Sequence, residues 1–446
     1  MSEVKGHQSP GNSPTDTDDG VTDAQSRTST DAYSEHEPFE TFKDKVRQLC
    51  RIYWPSYSDD QVHIERMRGG SSNRIISISV TENEDEPTDS SMQQIEKNHY
   101  LAAGEYILRV PRSGAQTGKA EIAMLSFIKC RISIGTPAIV LSDMDMDTEE
   151  ENPLGTPWIL QHRVVGKRLD EVWLTMNHTQ RLLVTLDLAR LCVDLRNIQN
   201  ASGGIPDMLH DLAPDGALRT IDYAFIDDED GSHKVIEESP PHEMLCRRLS
   251  RWTKQYDDIA ETWERAAEMV QQMHRVNGTF ETSPDERFYY FCHGDLFPRN
   301  IMVEILEDTT AYITGILDWD DAYFAPPVIA FSPPAWLWSK GWWAEDSDDE
   351  NYLDEVGLWK VGHIEPEDQD SRDIKELFDS VTGPQYLHFA YSPDAHAARR
   401  IWRAAHERIG CSWTKRHLDE LYNEWAASSA LETPDQAQSL PSQLLE

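Results

Sequence analysis

Residues 291–305 read FCHGDLFPRNIMVEI, and residues 311–321 read AYITGILDWDD. The apolar runs IMVEI and ITGIL predict two buried strands joined by a hairpin turn near EDTT, residues 307–310. Polar residues stand before the first strand and after the second. Because the two strands of a hairpin run in opposite directions, we expect these two polar groups to meet at one end of it.

Three side chains in these polar groups have the chemistry that phosphoryl transfer needs. The reaction requires a carboxylate that orients the acceptor hydroxyl and takes its proton, and oxygen ligands that hold Mg²⁺ against the phosphates. Asp295 supplies the first, and Asn300 and Asp318 supply the second. Mg²⁺ retains several waters, so one carboxylate and one amide from the protein suffice. The alternative is a set of capping carboxylates in an ordinary hairpin, and the order of loop, strand, turn, strand and acidic group favours catalysis.

The residues from Pro38 to Gly166 carry short periodic runs. Apolar residues recur at helical spacing from Phe39 and predict a helix that ends before Pro55. Beyond it, the patterns predict strands over 62–67 and 74–80, joined by a glycine-containing turn over 68–73. A third strand is predicted over 106–111 and a helix over 120–130, and two more strands follow over 134–142 and 157–166. This order is typical of the N-lobe of a kinase.

The residues beyond Gly166 are mainly helical in pattern. Residues 174–200 form the longest periodic stretch, which predicts a core helix. Residues 203–243 are too irregular for an assignment. A helix near 243–275 is expected to lead into the segment quoted above.

The chain resembles the aminoglycoside phosphotransferase and choline kinase-like superfamily, whose members carry His-Gly-Asp where protein kinases carry His-Arg-Asp. The resemblance rests on HGDLFPRN and ILDWD and covers about residues 40–430. It implies an α+β, two-lobed protein kinase-like fold, with a small N-lobe built on an antiparallel sheet and a larger, mostly helical C-lobe. We expect a disordered polar tail over 1–37, the N-lobe over 38–160, the C-lobe over 161–432 and a flexible C-terminal tail over 433–446.

The resemblance also implies roles for individual residues. Asp295 would be the catalytic base, Asn300 a ligand of Mg²⁺, and Asp318 the principal metal carboxylate. His293 would be structural, its ring hydrogen-bonded to the backbone beside Asp318. Mg²⁺ is then the expected cofactor and ATP the co-substrate.

In the N-lobe, the resemblance places Arg109 where kinases carry a lysine over the α- and β-phosphates, and Glu121 where a helix glutamate pairs with it. Arginine can bind phosphate oxygens through two N–H groups. The alternatives are an exposed edge-strand arginine and a solvated helix glutamate. In RGGSSNR, residues 68–74, the glycines would let the backbone at Ser71 and Ser72 approach phosphate, although a tight hairpin without ligand is the other interpretation.

Some neighbouring features stay open at this stage. Asp320 and Asp321 could hold a metal or orient nearby loops. A hinge near residues 161–165 would read the adenine edge. The aromatic segment FSPPAWLWSKGWWAEDSDDE, residues 331–350, could wall a pocket for a cationic ligand. We favour a tryptophan-rich core patch followed by a solvated loop.

Composition excludes several classes of partner and compartment. The formal charge of −38 would repel nucleic acid and anionic membranes. The six cysteines are scattered without a Cys-x-x-Cys pair, which fits a reducing compartment. The N-terminus has no signal-peptide pattern, and no run approaches the ~20 apolar residues of a membrane span. We expect a soluble, cytoplasmic protein.

These features predict an ATP- and Mg²⁺-dependent phosphotransferase that moves the γ-phosphoryl group to a hydroxyl of a small molecule. An aminoglycoside, choline, a sugar, an amino alcohol and a macrolide all fit as acceptor, and the oligomeric state stays open. A pseudokinase scaffold and a protein kinase are the alternatives. Asp295, Asn300 and Asp318 together argue against the first. Phe297, where protein kinases place a lysine, argues against the second.

Overall fold

The computed structural model describes most of the chain, namely residues 37–67, 73–82, 100–111, 115–144, 152–208, 218–221, 239–280, 289–343, 365–406 and 412–431. The predicted turn that contains Ser71 and Ser72 lies outside the described residues. So do both predicted tails apart from Glu37. The predicted limits of the lobes stay predictions.

The N-lobe is built on an antiparallel sheet with the strand order β1-β2-β3-β5-β4. Its strands are β1 (Val62–Arg66), β2 (Asn73–Val80), β3 (Gly104–Pro111), β4 (Ile139–Asp143) and β5 (Trp158–His162). Helix α1 (Phe39–Tyr53) buries Phe42 and Val46 in the same hydrophobic core as Ile76 and Ile78 of β2. The predicted N-terminal helix and all five predicted strands are confirmed.

Helix α2 (Ala115–Lys129) follows β3 and faces two ways. Its residues Met124, Leu125 and Ile128 belong to the hydrophobic core of the larger lobe. Glu121, one turn earlier, lies in contact with Arg109 of β3. The helix therefore joins the sheet of the small lobe to the core of the large one.

Short strands of the larger lobe surround the segment over residues 291–321. They are β6 (Lys167–Arg168), β7 (Gln199–Asn200), β8 (Ile205–Pro206), β9 (Thr220–Ile221), β10 (Tyr289–Cys292), β11 (Ile301–Glu307), β12 (Thr310–Ile316) and β13 (Tyr323–Ala325). In the described part of the chain they form three sheets, ordered β13-β10-β7, β12-β11-β6 and β8-β9. The predicted hairpin is β11 and β12, in which Ile301 pairs with Ile316.

The rest of the larger lobe is helical in the described residues. Its helices are α3 (Leu169–Val172), α4 (His178–Arg196), α5 (Pro241–Gln255), α6 (Ala260–Asn277), α7 (Pro327–Ala330), α8 (Gln369–Tyr391, interrupted at Gly383), α9 (Pro393–His406) and α10 (Ser412–Leu431). Most of their buried side chains share one large core with β10–β13.

Two helix predictions are corrected in detail. The helix expected over 174–200 begins only at His178, because Asn177 and Gln180 form a reciprocal capping box that starts α4 there. The single helix expected near 243–275 is two helices, α5 and α6. They are separated at Tyr256, where the backbone leaves helical geometry before a short 3₁₀ turn over Asp257–Ile259.

The molecule has the α+β, two-lobed protein kinase-like fold. One hydrophobic core lies beneath the small antiparallel sheet, and a second, larger core lies among the helices. No helix in the described ranges is long and apolar enough to cross a membrane.

Candidate active site

The loop between β10 and β11 is anchored by the buried ring of His293. Its Nε2 lies 2.8 Å from the carbonyl oxygen of Leu317, and its Nδ1 accepts from the backbone N–H of Asp295 at 3.3 Å. The two contacts require a neutral ring with the proton on Nε2, and burial lowers the pKa of His293 accordingly. The predicted hydrogen bond beside Asp318 is confirmed.

Gly294 lets this loop pass close to the segment after β12. Its φ is +83°, and a Cβ atom there would lie 2.1 Å from the carbonyl oxygen of Asp321. Both the backbone angle and the lack of space exclude other residues. The glycine of His-Gly-Asp is thus explained by the approach of two backbone segments.

Asp295 is held by two neighbours on its own loop. The side-chain N–H₂ of Asn300 donates to Asp295 Oδ2 at 2.8 Å and to the Asp295 carbonyl oxygen at 2.9 Å. The guanidinium of Arg299 pairs with Asp295 Oδ1 at 2.7 Å. Each carboxylate oxygen retains a further lone pair that could accept a proton or a hydrogen bond.

Asn300 also connects this loop to Asp318. Its backbone oxygen accepts from the N–H of Leu317 at 2.8 Å, immediately before Asp318. Asp318 has φ 62° and ψ 61°, and among the described residues no other non-glycine residue has a positive φ. Aspartate tolerates this left-handed conformation better than most residues, and such strain is often found at functional sites. The hairpin brings Asn300 and Asp318 to one end, as predicted.

The donors at this end suit the cation that the sequence implies. The amide N–H₂ of Asn300 faces Asp295, which leaves its oxygen as a ligand, and the carboxylate of Asp318 is 46% exposed. Both are hard oxygen donors, which Mg²⁺ prefers. In the described segments no group of three or more His, Cys, Asp or Glu side chains is arranged to hold a metal ion. A site with two protein ligands, completed by phosphate and water, fits Mg²⁺.

Arg109 lies at the centre of a buried ion cluster. Its Nε lies 2.9 Å from Glu121 Oε1, and its Nη2 lies 2.9 Å from Asp320 Oδ2 and 3.7 Å from Asp318 Oδ1. Burial by itself would lower the pKa of Arg109, but Glu121, then Asp320 and Asp318, outweigh it and raise that pKa. The arginine is therefore buried and ionised, and the exposed edge-strand alternative is wrong.

Burial acts in the opposite sense on the two carboxylates that contact Arg109 most closely. It raises the pKa of Glu121 and of Asp320, and Arg109 counteracts the effect in both. Glu121 also accepts from the side chain of Gln161 at 3.1 Å, and Asp320 accepts from Asn73 at 3.3 Å. The solvated-helix alternative for Glu121 is wrong, because its side chain is 4% exposed.

A cavity of about 540 Å³ opens beside Asp295. The catalytic-loop residues His293 to Phe297 form one wall, and Trp336 and Trp342 form part of another. Phe297 stacks on Trp342 with ring centroids 5.6 Å apart. The aromatic segment is therefore both core and wall, since Trp338 packs against Phe378 instead. Its residues from 344 onward lie outside the described ranges.

Several residues of the site escaped sequence reasoning. Arg299 touches Asp295, and Gln161, expected at the hinge, contributes its side chain to Glu121. Asn73 reaches Asp320 from a strand that is far away in sequence. No local motif marks the contacts of Gln161 and Asn73, because each joins elements that are far apart in the chain, and only the contact of Asn73 with Asp320 crosses between the lobes. Residues 163–166 form the connection between β5 and β6.

The chain is similar to several known proteins over part or most of its length. A stretch of 84 residues is 36% identical to the Clavilactone A biosynthesis cluster protein Y of Ampulloclitocybe clavipes, and it spans 19% of each chain, so the match covers about a fifth of that relative's length. A solved structure of the ADP-bound aminoglycoside phosphotransferase APH(2'')-Ib is 12% identical, with a TM-score of 0.43, over 86% of this chain and 96% of that one.

A solved choline kinase from Cryptosporidium parvum Iowa II is 10% identical to the chain, with a TM-score of 0.38, over 87% of this chain and 98% of that one. The family model described as "Phosphotransferase enzyme family" matches residues 97–360, which is more than half of the chain. The chain belongs to the phosphotransferase enzyme family.

Proposed function

We propose that this protein transfers the γ-phosphoryl group of ATP to a hydroxyl of a small molecule, with Asp295 as the base and Mg²⁺ as the cofactor. The observation that carries the proposal is the position of Asn300. Its side chain bonds Asp295 Oδ2 at 2.8 Å, and its backbone oxygen bonds the N–H of Leu317, next to Asp318, at 2.8 Å. One residue thus ties the acceptor side of the site to the metal side.

The acceptor would occupy the cavity beside Asp295 with its hydroxyl directed at the carboxylate. As the acceptor oxygen bonds to the γ-phosphorus, the bond from that phosphorus to the bridging oxygen of ADP breaks, and the hydroxyl proton passes to Asp295. Asn300 and Arg299 hold the carboxylate in place for this step. Loop geometry of this kind supplies orientation, which is a large part of phosphoryl-transfer catalysis.

Mg²⁺, held by Asn300 and Asp318 when bound, would neutralise negative charge on the transferred phosphate. The protein's own contribution on this side is Arg109, which is fixed by Glu121 and directed toward Asp318 and Asp320. A guanidinium fixed in this way is already oriented for phosphate oxygens. Ser71 and Ser72 are proposed as backbone contacts to the phosphates on sequence grounds alone.

The cavity beside Asp295 supports a small acceptor over a protein substrate. Its volume of about 540 Å³ lies within the range of small-molecule sites. Phe297 closes it by stacking on Trp342, at the place where protein kinases carry a lysine. A peptide would need an open groove at this point.

The test is a screen for ATP consumption over hydroxyl-bearing metabolites, with Asp295→Ala as the blank and mass spectrometry of the product. We expect at least one acceptor to gain a phosphoryl group with the parent chain and not with the blank. ATP that binds with Mg²⁺ but is never consumed would favour the pseudokinase scaffold. Equal consumption by both proteins would show that Asp295 is not the base.

A further inference from the structure

The cavity beside Asp295 is basic, although the chain as a whole carries a formal charge of −38. In the described part of the chain, the cavity is lined by four arginines and two carboxylates, Arg196, Arg299, Arg399, Arg403, Asp295 and Asp321. Arg299 is paired with Asp295. The other three arginines come from helices α4 and α9.

Arg399 brings a positive charge to the cavity without a carboxylate beside it. Its guanidinium donates to the carbonyl oxygens of Val328, Phe389 and Ala390 at 3.0, 3.1 and 2.6 Å. These partners are neutral, and no carboxylate of the described residues forms an ion pair with it. Burial lowers the pKa of Arg399 to about 10, which reflects the poor compensation of its charge.

Arg196 repeats this arrangement from another wall. It is the last residue of α4, and its Nη1 donates to the carbonyl oxygen of Thr382 at 2.9 Å. Among the described residues it too has no carboxylate partner. Arg403 lies four residues after Arg399 on α9, so both side chains lie on one face of that helix.

A purely structural role accounts for only part of this set. Arg399 bonds the last carbonyl groups of α8, and a cation stabilises the end of a helix. That role does not explain why Arg196, from a different helix, faces the same space. Collecting partly buried cations around one cavity is unfavourable unless an anion joins them.

We propose that the acceptor is an organic anion, which carries a carboxylate or phosphate group in addition to the hydroxyl that is phosphorylated. This inference rests on the proposed function. The anionic group would lie against Arg196 and the arginines of α9, while the hydroxyl faces Asp295. Trp336, Trp342 and Trp402 also line the cavity, so the body of the acceptor is apolar and contains a ring.

Aromatic walls also suit organic cations, as in many binding sites for ammonium groups. The charges decide between the two ligand classes here. A cationic acceptor would meet like charges at Arg196 and Arg399, whose partners are carbonyl groups, whereas an anion would pair with them. The charges therefore favour an anionic acceptor, and tighter binding of a cation would contradict it.

The test compares probes that share one skeleton and differ in charge. They are para-(hydroxymethyl)benzoate, its carboxamide, para-(hydroxymethyl)phenyl phosphate and para-(aminomethyl)benzyl alcohol. Calorimetry measures their Kd with the full chain in the presence of Mg²⁺ and a non-hydrolysable ATP analogue. We expect one or both anions to bind about tenfold more tightly than the carboxamide, and the amine to bind most weakly. The two anionic probes distinguish a carboxylate site from a phosphate site.

Helix α4 offers a matched pair of variants. Arg196→Gln removes a charge from the cavity, whereas Arg190→Gln removes the same charge from the same helix at a position that is 60% exposed and does not line the cavity. We expect the Kd for the better anion to rise about tenfold in Arg196→Gln and to change less than twofold in Arg190→Gln. Arg196→Lys should recover part of the loss.

Four results would each overturn the inference. They are equal affinity for all probes, tighter binding of the amine than of the anions, no binding of either anion, and equal losses of affinity in the two variants. ATP consumption measured in parallel separates it from the proposed function. An anion that binds through Arg196 and is never phosphorylated contradicts phosphoryl transfer alone. Phosphorylation of the amine but not of the anions contradicts the anionic acceptor alone.

Discussion

Arg109 Nη2 lies 2.9 Å from Asp320 Oδ2, so a strand of the small lobe is ion-paired with the segment that follows the hairpin of the large lobe. Arg109 is also paired with Glu121, so a single guanidinium joins β3, α2 and the segment that carries Asp318. Phosphate oxygens that reach this place would share the arginine with Asp320. If Arg109 binds the nucleotide as proposed, nucleotide binding and the contact between the lobes would be coupled.

Replacement of Arg109 tests the nucleotide grip. Arg109→Met should weaken ATP binding by about 1.5–3 kcal/mol, since a charge-assisted contact is lost, and Arg109→Lys should keep part of the affinity. Calorimetry with Mg²⁺ gives the three values. Equal affinities in all three proteins would show that Arg109 does not contact the nucleotide.

The stability of the Arg109 variants needs its own control. Arg109→Met leaves Glu121 buried without its cation, so the free energy of unfolding should fall by about 3–5 kcal/mol. The double variant Arg109→Met with Glu121→Gln removes that charge and should recover much of the loss in urea unfolding. ATP binding should stay weak in the double variant if Arg109 contacts phosphate.

Asp318 is expected to make nucleotide binding depend on Mg²⁺. Asp318→Asn removes the carboxylate charge, and asparagine also tolerates the left-handed backbone at φ 62°, so the fold should be retained. The affinity for ATP measured with Mg²⁺ should then fall to the value measured with a chelator. A normal response to Mg²⁺ in Asp318→Asn would rule out this carboxylate as the metal ligand.

Asp295 should control turnover and leave nucleotide binding nearly unchanged. Asp295→Asn keeps the shape but cannot take a proton, and loss of a general base typically slows a reaction about 100- to 10,000-fold. The Kd for ATP should change less than about twofold, because the residue faces the acceptor cavity. Asp308→Asn, at the exposed hairpin turn, is the matched control. Parallel loss of binding and turnover would indicate a structural role.

Asp368 should give the chain an acid-sensitive contribution to stability. It caps α8 by accepting from Ser371 N–H at 2.7 Å and pairs with Lys340 at 2.8 Å. Lys340, followed by the bonds with Ser371, lowers the pKa of Asp368, so the stabilisation is present above about pH 4 and is lost as the pH falls further.

Urea unfolding of Asp368→Ala measures this contribution. The loss should be about 1 kcal/mol at neutral pH and should shrink as the pH falls below about 4. Asp368→Asn, which can still cap the helix, should lose less at neutral pH and show a weaker pH dependence. A difference between the parent and Asp368→Ala that does not vary with pH would contradict the assignment.

The fold could be predicted largely because its signals are local. Alternating residues marked β1 to β3, and the hairpin between Asn300 and Asp318 was marked by two apolar runs. The pairing of Arg109 with Glu121 followed from the resemblance to kinases, and the ion pair is present at 2.9 Å. The apolar periodicity did not predict the end of α5 near Tyr256, because the helical pattern of the sequence continues there although the backbone leaves helical geometry.

Contacts between distant segments were beyond sequence reasoning. Arg196, Arg399 and Arg403 come from two helices that meet at one cavity, and each is an ordinary helix arginine when considered alone. Net charge gave no indication of this cavity, because a strongly acidic chain encloses a cavity lined by four arginines and two carboxylates. Only tertiary packing reveals the local sign of the charge.

Arg399, Trp402 and Arg403 face the cavity from a single turn of α9, whereas the proposed base, Asp295, and the proposed metal ligands, Asn300 and Asp318, lie in the loop before the hairpin and in the segment after it. Under the proposed function, recognition of the acceptor and the chemistry would be encoded by separate stretches of the gene. Selection can vary the residues of one helical turn and so explore new acceptors while the reaction itself is preserved. Such a division would let descendants of one ancestral enzyme acquire different substrates through a few neighbouring codon changes.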